Sequence, residues 1–123
     1  MRRILLHNQT SPLSAPLQAK YCDSFLCRFR GLMLRKSLAE REGLLLVESN
    51  ESRLNAAIHM LFMRFDIAVV WLDNNLCVVD AQKALRWRAS YMPAKPARYT
   101  LETRPEYLPE FHVGDQIVIT DAP

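Results

Sequence analysis

The residues of this chain that could perform acid–base chemistry are few and lie far apart in the sequence. Of the three histidines, only His59 lies in an apolar stretch, which leads into a strongly hydrophobic segment. Because imidazole titrates near neutral pH, a histidine held by a carboxylate can serve as a general acid or base. His59 is therefore the candidate acid/base, and Asp66 or Glu102 is the carboxylate that would orient it.

The three cysteines, Cys22, Cys27 and Cys77, show no metal-binding spacing. The sequence has no Cys-x-x-Cys pair, and no histidine stands at zinc-finger spacing from a cysteine. An odd number leaves at least one thiol unpaired, and reduced thiols are usual in the cytoplasm. We therefore expect three partly buried thiols and a chain that needs neither a metal nor a disulfide to fold.

Cofactor and nucleophile motifs are also missing from the sequence. The three glycines stand far from one another, which excludes a Gly-rich phosphate loop. Neither a nucleophile elbow nor a His-Glu-x-x-His pair occurs. The sequence therefore predicts no cofactor and no metal site.

Basic residues gather in two stretches that contain no acid, 27–36 and 82–98. Arginines from separate segments can hold an anionic group through paired hydrogen bonds, and methionine and phenylalanine can form an apolar wall beside it. The sequence therefore predicts a basic and apolar patch for a small anionic ligand or an acidic protein partner. Its candidate residues are Arg30, Met33, His59, Phe62, Met63, Arg64, Arg86 and Arg98.

Short strands must position these residues. Hydrophobic runs bounded by turn residues predict strands, at 3–6, 17–22, 43–47, 67–72, 76–79, 97–101 and 116–120. Both alternating sets of 67–72 are apolar, so this strand should be central and buried on both faces, with Trp71 in the core. Asn74 and Asn75 should form the hairpin turn that follows.

Helices are predicted to be short. Asp23 or Ser24 should cap a helix whose apolar stripe is Phe25, Phe29 and Leu32. Gly31 should end that helix with a positive φ in the left-handed conformation.

Two further turns of helix are predicted, one capped by Ser37 and one by Thr103 with Pro105 in its first turn. If 86–88 is a strand, Trp87 packs inward and its two neighbouring arginines point out.

Length and composition are those of one globular domain over residues 1–123, with residues 1–16 as a flexible N-terminal strand and loop. The apolar run at 4–6 is too short for a signal peptide, and no window is long enough for a membrane helix. We therefore expect a cytoplasmic protein with no membrane partner. A net charge of +3 is weak for a nucleic-acid binder.

Six blocks in order resemble the prokaryotic family called domain of unknown function 192. They are Arg-Gly-Leu-Met-Leu-Arg at 30–35, Gly-Leu-Leu-Leu-Val at 43–47, Ile-His-Met-Leu-Phe-Met-Arg-Phe at 58–65, Val-Val-Trp-Leu-Asp at 69–73, Pro-Ala-Arg-Tyr-Thr-Leu-Glu at 96–102 and Val-Gly-Asp at 113–115. The resemblance covers the chain from about Leu17 and is strongest to the short cytoplasmic branch. It implies a compact β-rich α+β domain, with a mixed or mostly antiparallel, partly closed sheet and two or three short helices. It implies no reaction, because the family is uncharacterised.

The chain departs from the family pattern after Phe65. Relatives commonly continue with Pro-Ile-Asp, whereas this chain has Asp66, Ile67 and Ala68. Asp66 could supply the carboxylate missing at Ala68, because residues two apart on a strand share a face.

Three functions therefore compete at the level of sequence. The leading hypothesis is a small non-enzymatic binding or accessory module that uses the basic and apolar patch. The second is a small enzyme with His59 as acid/base. The third is an RNA-binding module that uses the two basic stretches, for which a steep salt dependence of binding would be the mark.

Overall fold

The computed structural model describes residues 2–123 and contains a seven-stranded sheet and two short helices. The strands are β1 (Arg3–Asn8), β2 (Leu17–Cys22), β3 (Glu42–Ser52), β4 (Ile67–Leu72), β5 (Val78–Ala84), β6 (Ala97–Thr103) and β7 (Ile117–Asp121). The helices are α1 (Phe25–Arg30) and a 3₁₀ helix (Pro105–Glu110). This is the compact β-rich α+β domain that the sequence predicts.

The sheet has the order β5-β4-β6-β3-β2-β1-β7. Only β2 and β3 pair in parallel, with α1 in the connection between them, and the other neighbours are antiparallel. The sheet is not a closed barrel, although an isolated bridge between Cys77 and Gln116 links the segments that precede β5 and β7. β1 lies between β2 and β7, so the first strand is internal to the sheet.

Two hydrophobic cores cover the two faces of the sheet. Successive residues of a strand point to opposite faces, so β4 contributes Val69 and Trp71 to one core and Val70 and Leu72 to the other. All six residues of β4 are buried, and the strand lies between β5 and β6. The prediction of a central strand with Trp71 in the core is confirmed.

Helix α1 begins and ends where the sequence predicts, but it packs differently. The Ser24 side chain accepts a hydrogen bond from the Cys27 backbone N–H, and Gly31 ends the helix with φ +51° and ψ −128°. The positive φ is confirmed, whereas the ψ value lies outside the left-handed helical region. The predicted apolar stripe is wrong, because Phe25 and Phe29 are exposed and only Leu32 reaches the core.

Two predicted caps are wrong. No helix follows Ser37; instead, the Glu42 carboxylate accepts a hydrogen bond from the Ala39 N–H. Thr103 does not cap the 3₁₀ helix, because its hydroxyl donates to the Glu42 carbonyl across the β3–β6 pair. Both residues are recruited by strand neighbours, a long-range effect that local capping patterns omit.

Trp87 lies in a turn and not in a strand, so its predicted burial is also wrong. Its backbone N–H donates to the carbonyl of Met60, and its φ is +69°.

The expectation of three free thiols is wrong as well. Cys22 ends β2, Cys27 lies in α1, and the Ser24-capped turn between them brings their Cα atoms to 5.7 Å, where they form a disulfide. That separation falls within the usual range for a disulfide. Cys77 remains a free thiol. Within residues 2–123, no helix has the length and apolar character to cross a membrane.

Candidate functional site

A cavity of about 410 Å³ lies between α1 and the face of the sheet that carries Trp71. It falls within the size range of small-ligand pockets. Its walls come from α1 and the turn after it, from β3, from the 55–63 segment and from β6. The lining residues are Phe25, Arg28, Phe29, Arg30, Gly31, Leu32, Met33, Leu46, Glu48, Ser49, Asn55, Ala56, Ala57, Ile58, His59, Met63, Thr100 and Glu102.

Glu102 is the more deeply buried of the two carboxyl groups that line this cavity. It follows Thr100 at strand spacing on β6, so both side chains point to the same face and both line the cavity. Glu102 is only 5% exposed, and within residues 2–123 its carboxyl has no hydrogen-bond partner. Burial raises the pKa of Glu102 to about 7, because a low-dielectric surrounding disfavours the charged form.

Gly31 lies next to this carboxyl. A Cβ atom at Gly31 would lie 3.4 Å from Glu102 Oε1. That distance is an ordinary van der Waals contact, so the positive φ of this turn, and not a lack of space, is what favours glycine at this position. Near neutral pH the Glu102 carboxyl is present both as an acid, which can donate a hydrogen bond, and as a carboxylate, which can only accept.

His59 lines the same cavity and is held by the end of α1. Its Nε2 lies 3.2 Å from the carbonyl oxygen of Phe29. Because a carbonyl can only accept, this nitrogen carries the hydrogen and donates. The carbonyls of the last helical turn lack partners inside the helix, and His59 satisfies one of them. Its Nδ1 is buried and has no partner in the part of the chain that the structure describes.

Two arginines of α1 have different surroundings. The Arg28 guanidinium forms an ion pair with Glu48, with 3.3 Å between Nε and Oε1, and donates to the Val47 carbonyl at 3.2 Å. Arg28 is therefore neutralised by its neighbours. Arg30 is exposed at the cavity and forms no ion pair with any residue of the described range 2–123. The cavity thus has one uncompensated cation on its wall and a titratable carboxyl inside.

The structure brings together half of the sequence-predicted site residues. Arg30, Met33, His59 and Met63 line the cavity. Glu102 joins them, so of the two carboxylates proposed to orient His59 only Glu102 shares its cavity, and it is the Phe29 carbonyl that holds the imidazole.

The other four predicted residues lie elsewhere. Arg86 pairs with Asp66 at 3.1 Å in a separate depression, and the Arg98 Nε donates to the Glu48 carbonyl at 3.0 Å. Phe62 lies outside the cavity against Trp87, and Arg64 is exposed beside it in the chain. The four arginines therefore do not surround one point.

Glu102, Phe25 and Phe29 line the cavity but are not among the eight residues that the sequence predicts for the site. A signal for Glu102 was present, because it is an acid in the interior of a strand whose neighbour Leu101 faces the other core. The two phenylalanines gave no such signal, because their helical spacing is typical of core residues.

No group of three or more His, Cys, Asp or Glu side chains within the described residues is arranged to hold a metal ion. The expectation that the protein has no metal stays a prediction.

The model of the DUF192 family, described as "Uncharacterized ACR", matches residues 6–119. The chain belongs to the DUF192 family. The resemblance of the six sequence blocks is thereby confirmed, and because this family is uncharacterised, membership brings no reaction and no ligand.

The similar proteins of known sequence include archaeal members named UPF0127. One from Thermococcus kodakarensis is 44% identical over 98 residues, which cover 80% of this chain and 60% of that protein. One from Pyrococcus horikoshii is 37% identical over 117 residues, which cover 92% of this chain and 96% of that protein. A relative from Thermococcus gammatolerans is 50% identical over 80 residues. The chain spans 60% of the first relative's length and 50% of this last one's.

Two crystal structures share the fold. A "putative transcription regulator" from Sinorhizobium meliloti 1021 superimposes with a TM-score of 0.81 at 16% identity, covering 95% of this chain and 92% of that one. A protein of unknown function from Novosphingobium aromaticivorans superimposes with a TM-score of 0.77 at 14% identity, covering 94% and 83%. At these identities the likeness concerns the fold alone.

Proposed function

We propose that this protein is a small-molecule binding module whose cavity holds a compact, partly apolar ligand that carries an anionic group. The observation that carries the proposal is the buried Glu102 carboxyl, which lines a cavity and has no partner within residues 2–123. A carboxyl that forms no hydrogen bond with the protein leaves its donor and acceptor positions open to a molecule in the cavity. A ligand in the cavity would provide the missing partner.

The surroundings of Glu102 support an anionic group on this ligand. In its protonated form, Glu102 can donate a hydrogen bond to a carboxylate or a similar acceptor. The exposed guanidinium of Arg30 would add charge attraction at the cavity wall. Phe29 and Met63 would contact the apolar part of the ligand.

Proton linkage makes the proposal testable. If the anion binds the protonated form of Glu102, its affinity falls as the pH rises through about 7, because the carboxyl must take up a proton. An amine ligand would show the opposite slope, since it would bind the carboxylate.

The test is a panel of small aromatic and branched carboxylates, with the matching amides and amines as probes. Binding to the purified protein would be measured by titration calorimetry at about pH 6 and about pH 8. We expect carboxylates to bind more tightly at the lower pH. Glu102→Gln should keep binding and lose the pH dependence, because the amide can still donate, whereas Glu102→Ala should weaken binding. The exposed Glu106 offers a matched control as Glu106→Gln. Amines that bind more tightly at the higher pH, or no binding by any class, would overturn the proposal.

A second function, catalysis by proton transfer, is favoured by one observation. Glu102 has a pKa of about 7 and shares its cavity with His59, and catalytic acids and bases work best near the ambient pH. Mass spectrometry of the bound panel compound separates the two functions. Recovery of the compound unchanged supports a binding module, and recovery of a converted product supports an enzyme.

The proposal also excludes nucleic acids and membranes as partners of the protein. The net charge of +3 supports the exclusion of nucleic acids. Binding of single-stranded RNA at physiological salt, with a steep loss on adding salt, would contradict this part of the proposal.

A further inference from the structure

Three chain segments hold large apolar side chains out in solvent at one place, away from the cavity. Leu34 is 62% exposed, Phe62 is 51% exposed and Trp87 is 57% exposed. The rings of Phe62 and Trp87 pack against each other with their centroids 5.2 Å apart. The Leu34 N–H donates to the Phe62 carbonyl at 3.0 Å. We call these three residues the apolar ridge; none of them lines the cavity.

The backbone of the apolar ridge is strained at all three residues. Their φ angles are +68° at Leu34, +62° at Phe62 and +69° at Trp87. Bulky side chains rarely adopt a positive φ, and such conformations persist only where the surrounding structure imposes them. Backbone hydrogen bonds impose them here, since the Met60 carbonyl accepts from the Trp87 N–H at 2.7 Å and the Met60 N–H donates to the Arg88 carbonyl at 2.9 Å. The fold therefore keeps these side chains exposed against both hydrophobic and conformational preference.

Positive charge borders the ridge. Arg64 follows Phe62 by two residues, and Arg88 follows Trp87. Both side chains are exposed, and neither forms an ion pair within residues 2–123. The nearby Arg86, in contrast, is neutralised by Asp66 at 3.1 Å. Arg64 and Arg88 therefore offer charge that no described residue of this chain compensates.

We infer that the apolar ridge is the docking surface for an acidic, amphipathic segment of a partner protein. Such a segment would cover the ridge with its apolar side chains and pair its carboxylates with Arg64 and Arg88, so it complements both properties of the surface. Aromatic residues and arginine are the residues that most often dominate binding at protein interfaces.

A protein partner fits better than a nucleic acid. Leu34 is aliphatic and offers no face on which a base could stack, and the rings of Phe62 and Trp87 are tilted by 59° towards each other, so their faces are not presented in parallel to a strand of bases.

The inference can be tested by panning a random peptide library against the purified protein. Peptides that bind the native protein but not the Phe62→Gly and Trp87→Gly variants are those that bind the ridge, and we expect them to be rich in Asp or Glu and in large apolar residues. Glycine is chosen because it relieves the positive φ, so these variants should melt at or above the temperature of the native protein while losing binding. A stable variant without binding separates a docking role from a structural one.

Affinity would then be measured by fluorescence anisotropy of one labelled acidic peptide from the selection. Arg64→Glu and Arg88→Glu should each weaken binding about tenfold or more, since they place like charges together. Leu54→Ser and Lys95→Glu are matched controls at exposed positions away from the ridge and should leave the affinity unchanged.

Three results would overturn the inference. The first is a selection without acidic enrichment, and the second is binding that the ridge variants do not reduce. The third is self-association of the protein that Trp87→Gly abolishes, because the occupant would then be a second copy of the chain. Glu102→Gln should not change peptide binding, so failure of this inference is distinguishable from failure of the cavity proposal.

Discussion

At the scale of single residues, Glu102 couples folding to pH. Burial raises its pKa from 4.5 to about 7, so between these values the folded chain holds a proton that the unfolded chain releases. The buried carboxyl therefore lowers the free energy of unfolding. This loss of stability is absent below about pH 4.5, grows as the pH rises and is complete above about pH 7, where it is on the order of a few kcal/mol. We expect Glu102→Gln to remove it and to flatten the free energy of unfolding across this range.

Urea denaturation of both proteins at several pH values measures this effect. Carboxyls whose pKa is lowered, such as Glu110, stabilise the folded protein less as the pH falls, and they do so equally in the native protein and in Glu102→Gln. The difference between the two plots of unfolding free energy against pH therefore reports Glu102 alone. The exposed Glu106 serves as the control, because Glu106→Gln makes the same exchange of a carboxyl for an amide outside the cavity. Parallel curves for the native protein and Glu102→Gln would show that the carboxyl is solvated.

Gly31 both ends α1 and lies next to the Glu102 carboxyl. A Cβ atom there would lie 3.4 Å from Glu102 Oε1, at a φ of +51°. We expect Gly31→Ala to lower the free energy of unfolding by more than about 1 kcal/mol. Gly114 has a φ of +96° with nothing within 4 Å of the added Cβ, so Gly114→Ala measures backbone strain alone. Because 3.4 Å is an ordinary van der Waals distance, we expect similar losses in both variants, and a Gly31→Ala variant as stable as the native protein would contradict the strain at this turn.

Single residues were predictable from the sequence where the residue type itself restricts the conformation or the chemistry. A glycine after a helical stripe predicted the positive φ at Gly31, and an isolated histidine in an apolar stretch predicted a residue of the cavity wall. For Glu102 the sequence gave only part of the answer: its position inside a strand was a signal, but its burial depends on β3, β4 and α1, which are distant in the sequence.

At the scale of elements, the disulfide fastens the start of α1 to the end of β2. Cys22 and Cys27 are five residues apart, and a loop this short removes little entropy from the unfolded chain, so the bond should contribute no more than about 2–3 kcal/mol. We therefore expect the reduced protein to fold, with a lower melting temperature. Thiol titration of the unfolded protein should give one free thiol before reduction and three after it.

The matched variant for this test is Cys22→Ser with Cys27→Ser, which should melt like the reduced protein. Cys77→Ser is the control, because Cys77 lies outside the disulfide. Unfolding on reduction would show that the bond is required, and three titratable thiols in the untreated protein would show that it does not form.

The two tryptophans give a second comparison between elements. Trp71 on the central strand is 0% exposed and its Nε1 donates to the Ala56 carbonyl at 2.8 Å, whereas Trp87 lies in an exposed turn. We expect Trp71→Ala to cost about 3–5 kcal/mol through lost burial and the cavity that remains. Trp87→Ala, Arg86→Ala and Arg98→Ala should each cost less than about 1 kcal/mol. Urea denaturation of the four variants measures these losses. A Trp71→Ala variant as stable as the native protein would contradict the central place of β4 in the sheet.

Strands were predicted better than helices for a physical reason. The apolar alternation of a strand such as β4 reports its burial directly, and both faces of β4 were predicted correctly. The stripe of Phe25 and Phe29 has the same appearance whether it faces a core or a cavity mouth. The position of α1 over the sheet decides whether these phenylalanines face the core or the cavity. That position follows from the long-range pairing of β2 with β3.

At the scale of the whole molecule, one buried carboxylate ties distant parts of the chain together. Asp115 accepts hydrogen bonds from the Asn8 side chain on β1 at 2.8 Å and from the His112 N–H at 2.9 Å, and its carbonyl accepts from the Val78 N–H of β5 at 2.9 Å. Burial alone would raise the pKa of Asp115, but the hydrogen bonds from Asn8 and His112 outweigh it and hold the pKa below its ordinary value. The Asp115 carboxylate thus fastens β1 to the turn before β7, and the Asp115 backbone carbonyl contacts β5.

We therefore expect Asp115→Asn to weaken the fold as a whole, by about 1–3 kcal/mol at neutral pH, because the amide leaves buried donors without their acceptor. A carboxyl with a lowered pKa stabilises the folded state above its unfolded pKa and loses that contribution as the pH falls. The difference between native protein and variant should therefore shrink in acid, below about pH 4. Asp121→Asn, which breaks only the exposed pair with Arg2, is the control and should cost less than about 1 kcal/mol. Chemical denaturation at neutral and acidic pH measures all three proteins. A loss at Asp115 that is no larger than the loss at Asp121 would mean that the hydrogen bonds of the Asp115 side chain to Asn8 and His112 contribute little to stability.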